Sequence, residues 1–185
     1  MTVGAERDPA RERRILEERA RALARLPRPE DGGETLEVAV FALGRERYAV
    51  DTASVLAVAP LADFAPIPRS PAYIVGLALF AGHALVVVDL GRLFGFERPG
   101  LSDLAQMIVL GQASGQPELG IVADAVLEVA VIRRRDLGPP PPSVASHQAI
   151  VGVDPKALTV LDSSVLLSDP RLFIDEADEE DDHAP

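Results

Sequence analysis

The 185-residue chain has no Cys and no Trp, two Tyr, six Phe and three His. Without Cys there can be no disulfide and no thiolate metal site. Aromatics make up 4% of the chain and hydrophobic residues 48%, so the core has to be aliphatic, built from Val, Leu, Ala and Ile. His83, His147 and His183 form no HxxxH pair and lie near no carboxylate at metal-ligand spacing, so no metal site is expected. His83, beside Gly82, reads as a turn residue. Ser163 and Ser164 lack the Gly-x-Ser-x-Gly elbow, and Gly111-Gln-Ala-Ser-Gly115 lacks the Lys and spacing of a phosphate loop. An enzyme would have no nucleophile, base or cofactor cradle, so neither catalytic residues nor cofactors are expected.

Positive charge is also scarce. The net charge is -11 with a pI near 4.7, and residues 34–174 hold only Lys156 and scattered Arg. A nucleic-acid-binding barrel needs a basic groove with stacking aromatics, which excludes that class of partner. Long hydrophobic runs are missing as well. The longest, Tyr73–Val88, is interrupted by Gly76, Gly82 and His83 and falls short of the ~20 residues of a spanning helix. Residues 1–14 are polar and Arg-rich, unlike a secretory signal. A cytoplasmic address without membrane insertion is expected.

What the chain does have is a repeat. Tyr48-Ala-Val-Asp51-Thr-Ala-Ser-Val55-Leu-Ala-Val58 parallels Gly120-Ile-Val-Ala-Asp124-Ala-Val126-Leu-Glu-Val129, with a two-residue gap after the Asp. Val86-Val-Val-Asp89-Leu-Gly-Arg-Leu-Phe94 parallels Thr159-Val-Leu-Asp162-Ser-Ser-Val-Leu-Leu167. Asp51 to Asp124 and Asp89 to Asp162 are both steps of 73 residues. Two landmarks at one offset predict two copies of one β-rich unit. Asp89 and Asp162 are placed to cap short helices over Leu90–Phe94 and Ser163–Leu167, and all four Asp are read as turn or capping residues.

Three segments follow: a helix and linker over 1–33, a β domain over 34–174, and an acidic tail over 175–185. In the first, Ile15, Leu16, Ala20, Ala22, Leu23 and Leu26 recur at helical spacing and Pro27 stops the helix. The strands expected in the β domain are Leu36–Leu43, Tyr48–Val50, Val55–Val58, Ile74–Phe80, Ala84–Val88, Ala105–Leu110, Glu118–Ala123, Val126–Ile132, Ala149–Val153 and Leu158–Leu161. Pro60, Pro66, Pro68 and Pro71 mark an irregular connection. Gly138–Pro142 is a stiff link inside the domain. In the tail, seven of the eight positions from Asp175 to Asp182 are acidic, a solvated composition.

In order along the chain, Phe41-x-Leu-Gly44, Tyr48-Ala-Val-Asp51, Pro71-Ala-Tyr-Ile-Val-Gly76, Gly82, Val86-Val-Val-Asp89-Leu90, Gly120-Ile-Val-x-Asp124-x-Val126 and Val160-Leu-Asp162 resemble the CheW family of chemotaxis coupling proteins. The resemblance covers residues 36–168. It implies an all-β fold of two interlocked five-stranded SH3-like barrels with short capping helices. It also implies a non-catalytic adaptor joining the regulatory domain of a CheA-type histidine kinase to the cytoplasmic hairpin tip of chemoreceptors. By the same resemblance the kinase contact falls on Val55, Leu56, Ala57 and Gly76. The receptor groove falls on Phe80, Ala81, Gly82, Leu119, Gly120 and Val126. Two positions depart from the family pattern: Ala57 stands where Glu is usual, and Leu79-Phe80-Ala81-Gly82 stands where Asn-Leu-Arg-Gly is usual. A divergent adaptor that binds one partner only, and competes with a standard coupler, is the alternative.

Overall fold

A computed structural model describes residues 34–61, 64–96, 100, 105–112, 115–140, 142 and 147–172. The helix and linker expected over 1–33 and the acidic tail over 175–185 lie outside the described residues. In chain order the strands are β1 (Thr35–Leu43), β2 (Glu46–Asp51), β3 (Val55–Pro60), β4 (Phe64–Ala65), β5 (Ile74–Phe80), β6 (His83–Val88), β7 (Gln106–Gly111), β8 (Pro117–Ala123), β9 (Ala125–Arg133), β10 (Ile150–Val153) and β11 (Leu158–Leu161). Helix α1 (Leu90–Leu93) follows β6, and α2 (Ser163–Ser168) follows β11. Among the described residues no helix is long and apolar enough to cross a membrane.

Two sheets form, in the orders β10-β11-β2-β1-β9 and β3-β7-β8-β6-β5-β4. The repeat explains this arrangement. Each copy starts with a hairpin, β1–β2 or β7–β8, and then sends its third strand away. β3 pairs antiparallel with β7, and β9 pairs antiparallel with β1. The later hairpins cross as well: β6 lies parallel to β8, and β11 parallel to β2. Each sheet therefore joins the opening hairpin of one copy to the remaining strands of the other. The second sheet has six strands rather than the expected five. The sixth is the two-residue β4, inside the connection that Pro60, Pro66, Pro68 and Pro71 mark as irregular. Among the described residues the ladders leave both sheets open-ended, so barrel closure is not part of the hydrogen-bonded pattern.

Period-two alternation sets which cluster each side chain enters. In β1, Val38 and Val40 face one way, while Ala39, Phe41 and Leu43 face the other. The main cluster draws on both sheets, with Phe41, Tyr48 and Val50 from one and Ile108, Leu119 and Ile121 from the other. A second cluster belongs to the six-stranded sheet alone and includes Leu85, Val87, Met107, Val109 and Val122. A third, around Val38, Val40, Ala49 and Leu158, belongs to the five-stranded sheet. The core is aliphatic apart from a short aromatic chain, Phe41–Tyr48–Phe94, with successive ring centroids 6.0 Å apart.

The paired Asp residues fall where the repeat puts them. Asp89 caps α1, its Oδ1 accepting from Arg92 N–H at 3.2 Å. Asp162 caps α2, its Oδ1 accepting from Ser164 N–H at 2.9 Å. Asp51 and Asp124 each end an opening hairpin and precede a crossing strand. Their partners differ. Asp51 accepts locally from Ala53 N–H at 2.9 Å, whereas Asp124 accepts from Gly44 N–H in the hairpin of the other copy. Gly138 exchanges two backbone hydrogen bonds with Val153, of 2.8 and 3.0 Å, which ties the start of the proline run into the domain.

Candidate protein-docking surfaces

The first surface is the edge formed by β3. On its outer side β3 has no ladder partner among the described residues. Such an edge offers backbone donors and acceptors to an added strand. The side chains expected to make the contact are half-buried. Val55 packs on the main cluster, and Leu56 and Ala57 pack on the second cluster. A register shift between Val55 and Ala57 breaks the alternation and turns both Leu56 and Ala57 inward. A Cβ at Gly111 would lie 2.1 Å from the Gln116 oxygen and 2.6 Å from Leu56 Cδ1, so that glycine leaves room for the half-buried Leu56 as well as for the backbone at Gln116. The apolar side chain that β3 presents to solvent is Val58, 43% exposed. The bulge that decides this phase has no mark in the sequence.

Gly76 is buried, and a Cβ there would sit 2.3 Å from the Ala65 carbonyl oxygen. It lets β4 close onto β5 and offers no surface of its own. Gly152 does the same in the second copy, where a Cβ would sit 2.6 Å from the Gly138 oxygen. Both glycines end an Ile-Val-Gly tripeptide, Ile74–Gly76 and Ile150–Gly152, and both tripeptides carry a register shift at the same place. Tyr73 and Ala149, just before them, accept from Asp89 and Asp162 N–H at 2.8 and 2.7 Å. The repeated Ile-Val-Gly is thus a third landmark of the repeat, visible in the sequence.

The second surface is the β5–β6 hairpin. Phe80 pairs with His83 across a two-residue turn, Ala81 and Gly82, at φ 48 and 84. Positive φ at both residues marks a type I′ turn. Phe80, one of the residues assigned to the receptor groove, is half-buried against the second cluster. Leu119 is fully buried and Gly120 is buried, with a Cβ there 2.7 Å from Met107 sulfur. Neither gives a partner a side chain to touch. Val126 is half-buried on the main cluster, and its N–H donates to Gln106 Oε1 at 2.8 Å.

The expected groove is also divided. β6 and β8 run parallel, with Val86 opposite Leu119 and Val88 opposite Ile121. The Ala81–Gly82 turn precedes the start of β6, and Val126 follows the end of β8. At ~3.3 Å per residue they are on the order of 20 Å apart along the sheet. What lies beside the turn instead is Leu79, 76% exposed. Alternation in β5 predicts it, since Ala78 and Phe80 point inward.

A cavity of about 350 Å³ between the ends of α1 and α2 is lined by Phe94, His147, Asp169 and Arg171 among others. The His147 ring lies 4.9 Å from that of Phe94. Burial, and then the Arg171 charge, hold the His147 pKa below its usual value. Arg171 Nη2 donates to Asp169 Oδ2 at 2.6 Å, and this bond holds the Asp169 carboxyl below the ordinary range. The two charges that line the cavity are thus engaged with each other. Among the described residues no three His, Asp or Glu gather as a metal site.

A family model described as "CheW-like domain" matches residues 37–171. The chain is 31% identical over 157 residues to Protein FrzA of Myxococcus xanthus, spanning 82% of this chain and 94% of FrzA. It is 26% identical over 148 residues to Chemotaxis protein CheW of Treponema pallidum, spanning 75% and 86%. Among solved structures, the scaffolding protein TtCheW from Thermoanaerobacter tengcongensis matches with a TM-score of 0.59 and 28% identity, over 69% of this chain and 89% of that one.

Proposed function

Because the chain belongs to the CheW-like domain family, we propose that it is a non-catalytic scaffold of a chemosensory signalling system, coupling a CheA-type histidine kinase to the cytoplasmic hairpin tips of chemoreceptors. The observation that carries this reading is the family match over residues 37–171. The exchanged-strand fold supports it, because the exchange leaves β3 at the edge of a sheet. A kinase regulatory domain docks there through main-chain bonds and through Val58, with Val55, Leu56 and Ala57 shaping the strand from beneath. Gly76 lets β4 pair at the opposite edge of that sheet. The receptor docks at the β5–β6 hairpin around Phe80, Ala81 and Gly82. Leu119 and Gly120 support that region from the core, and Val126 belongs to its far side.

The test is titration of the full chain with a kinase regulatory domain and, separately, with receptor hairpin tips. Val58→Glu places a charge on the exposed edge, and kinase binding should weaken about tenfold or more while receptor binding and the melting temperature hold. Leu56→Asp is not suitable, since it would put a carboxylate into the second cluster. Unchanged kinase affinity for Val58→Glu would remove β3 as the docking edge.

The reading of a one-partner adaptor also has an observation in its favour: Ala81 offers no charge at the receptor-side turn. Binding of the kinase domain with no binding of any hairpin tip from the same organism would establish it.

A further inference from the structure

The two copies of the repeat differ in the length of their later hairpins. In the second copy the β10–β11 pairing ends at Val153 opposite Thr159. The chain then enters a turn at Asp154, whose Oδ1 accepts from the N–H groups of Lys156 and Leu158 at 2.8 Å each. In the first copy the equivalent pair is Leu77 opposite Val86, and the hairpin runs three pairs further, through Ala78–Leu85, Leu79–Ala84 and Phe80–His83. The fold therefore does not require the extension. Its outer face carries Leu77, 38% exposed, and Leu79, 76% exposed, beside Ala84 and Val86. Val86 packs on the main cluster, so the core between the sheets runs out to solvent along this face and ends at Leu79.

Two properties of the face select its occupant. The backbone of Leu77 and Ala78 is already paired on both sides, by β4 and β6. A second copy or an extended peptide cannot add to the sheet along Leu77 and Ala78, so a partner that covers Leu77 as well as Leu79 has to touch side chains. Residues 74–88 contain no Asp, Glu, Lys or Arg, so the recognition is apolar. Leu77 and Leu79, two apart on a strand, lie ~6.7 Å from each other, close to the ~6 Å between residues i and i+4 of a helix. A helix laid along β5 can meet both with one apolar row.

Building on the proposed function, we infer that the extended β5–β6 hairpin, led by Leu79, is the specificity determinant of this chain for receptor tips whose facing helix carries apolar residues at i and i+4. The experiment uses the full chain and soluble hairpin-tip fragments of chemoreceptors from the same genome, titrated at low and high salt, with the kinase regulatory domain as a parallel ligand. A tip with the apolar row should bind with little change between the two salts. Leu79→Asn should weaken it about tenfold or more, and Leu79→Met should retain most of the affinity. Kinase binding and the melting temperature should be unchanged in both variants. Equal binding of the wild type and Leu79→Asn, or a steep loss with salt, would overturn the inference while leaving the coupling function in place. If no tip binds the wild type although the kinase domain does, the receptor half of the proposed function fails and the inference fails with it.

Discussion

Ala81 holds a left-handed conformation, φ 48, with no side-chain group to offset the crowding of its Cβ. Asn tolerates that region because its amide bonds locally. Ala81→Asn should therefore stabilise the fold by about 0.5–1 kcal/mol, read as a higher urea midpoint at constant slope. Titration acts at the same scale. Ser164, whose hydroxyl donates to Asp162, holds that carboxyl down, as Arg171 does for Asp169, against an ordinary value of 3.8. Burial holds His147 below 6.5. In all three the unfolded chain binds the proton more tightly, so stability rises with pH. Two windows follow. As pH falls below 6.5, unfolded chains take up a proton that folded His147 refuses, and stability drops until its lower folded value is passed. The contribution of the two carboxylates is full above 3.8 and is lost as pH falls through their depressed values. Thermal melts across this range should show both losses, and His147→Gln should remove the upper one alone.

At the scale of elements, the two Ile-Val-Gly segments set how closely a neighbouring strand approaches. Gly76→Ala would drive a methyl to 2.3 Å from the Ala65 oxygen, and Gly152→Ala to 2.6 Å from that of Gly138. Both contacts are with backbone, which cannot swing aside as a long side chain does. Each substitution should cost about 1–3 kcal/mol in urea unfolding. The Gly76 effect should be the larger, because its gap is the tighter. A mild Gly76→Ala would mean that β4 can lift away at little cost. The docking edge depends on the same scale. β3 leaves its own hairpin to pair with β7, and the bulge after Val55 sets which of its side chains a partner meets.

For the whole molecule, the exchange makes each half the other's scaffold. Residues 34–100 contain β1 and β2 but lack β9 and β11, their partners on either side; residues 105–172 contain β7 and β8 but lack β3 and β6. The main cluster is also drawn from both halves. Each half expressed alone should be unfolded or aggregated, since its sheet edges and apolar faces have no cover. Mixed during refolding, the halves should restore the far-ultraviolet circular dichroism of the intact chain. A half that folds alone as a monomer would contradict the exchange.

The sequence by itself determined the aliphatic core, the doubled unit and most of the strands, because each rests on local composition or on period-two alternation that neighbouring residues settle among themselves. Leu158–Leu161 and Ile74–Phe80 match the observed strands to the residue, and Asp89 and Asp162 cap the helices assigned to them. The resemblance named the family. Only the tertiary structure decided which surfaces are open. Leu119 and Gly120 lie on a strand that alternation identifies, but a strand covered on both faces reads the same as one covered on a single face. The bulge after Val55, the separation of Ala81 from Val126 and the longer β5–β6 hairpin all depend on pairing between residues far apart in the chain. No local pattern encodes that pairing, and it is what leaves Val58 and Leu79 facing solvent.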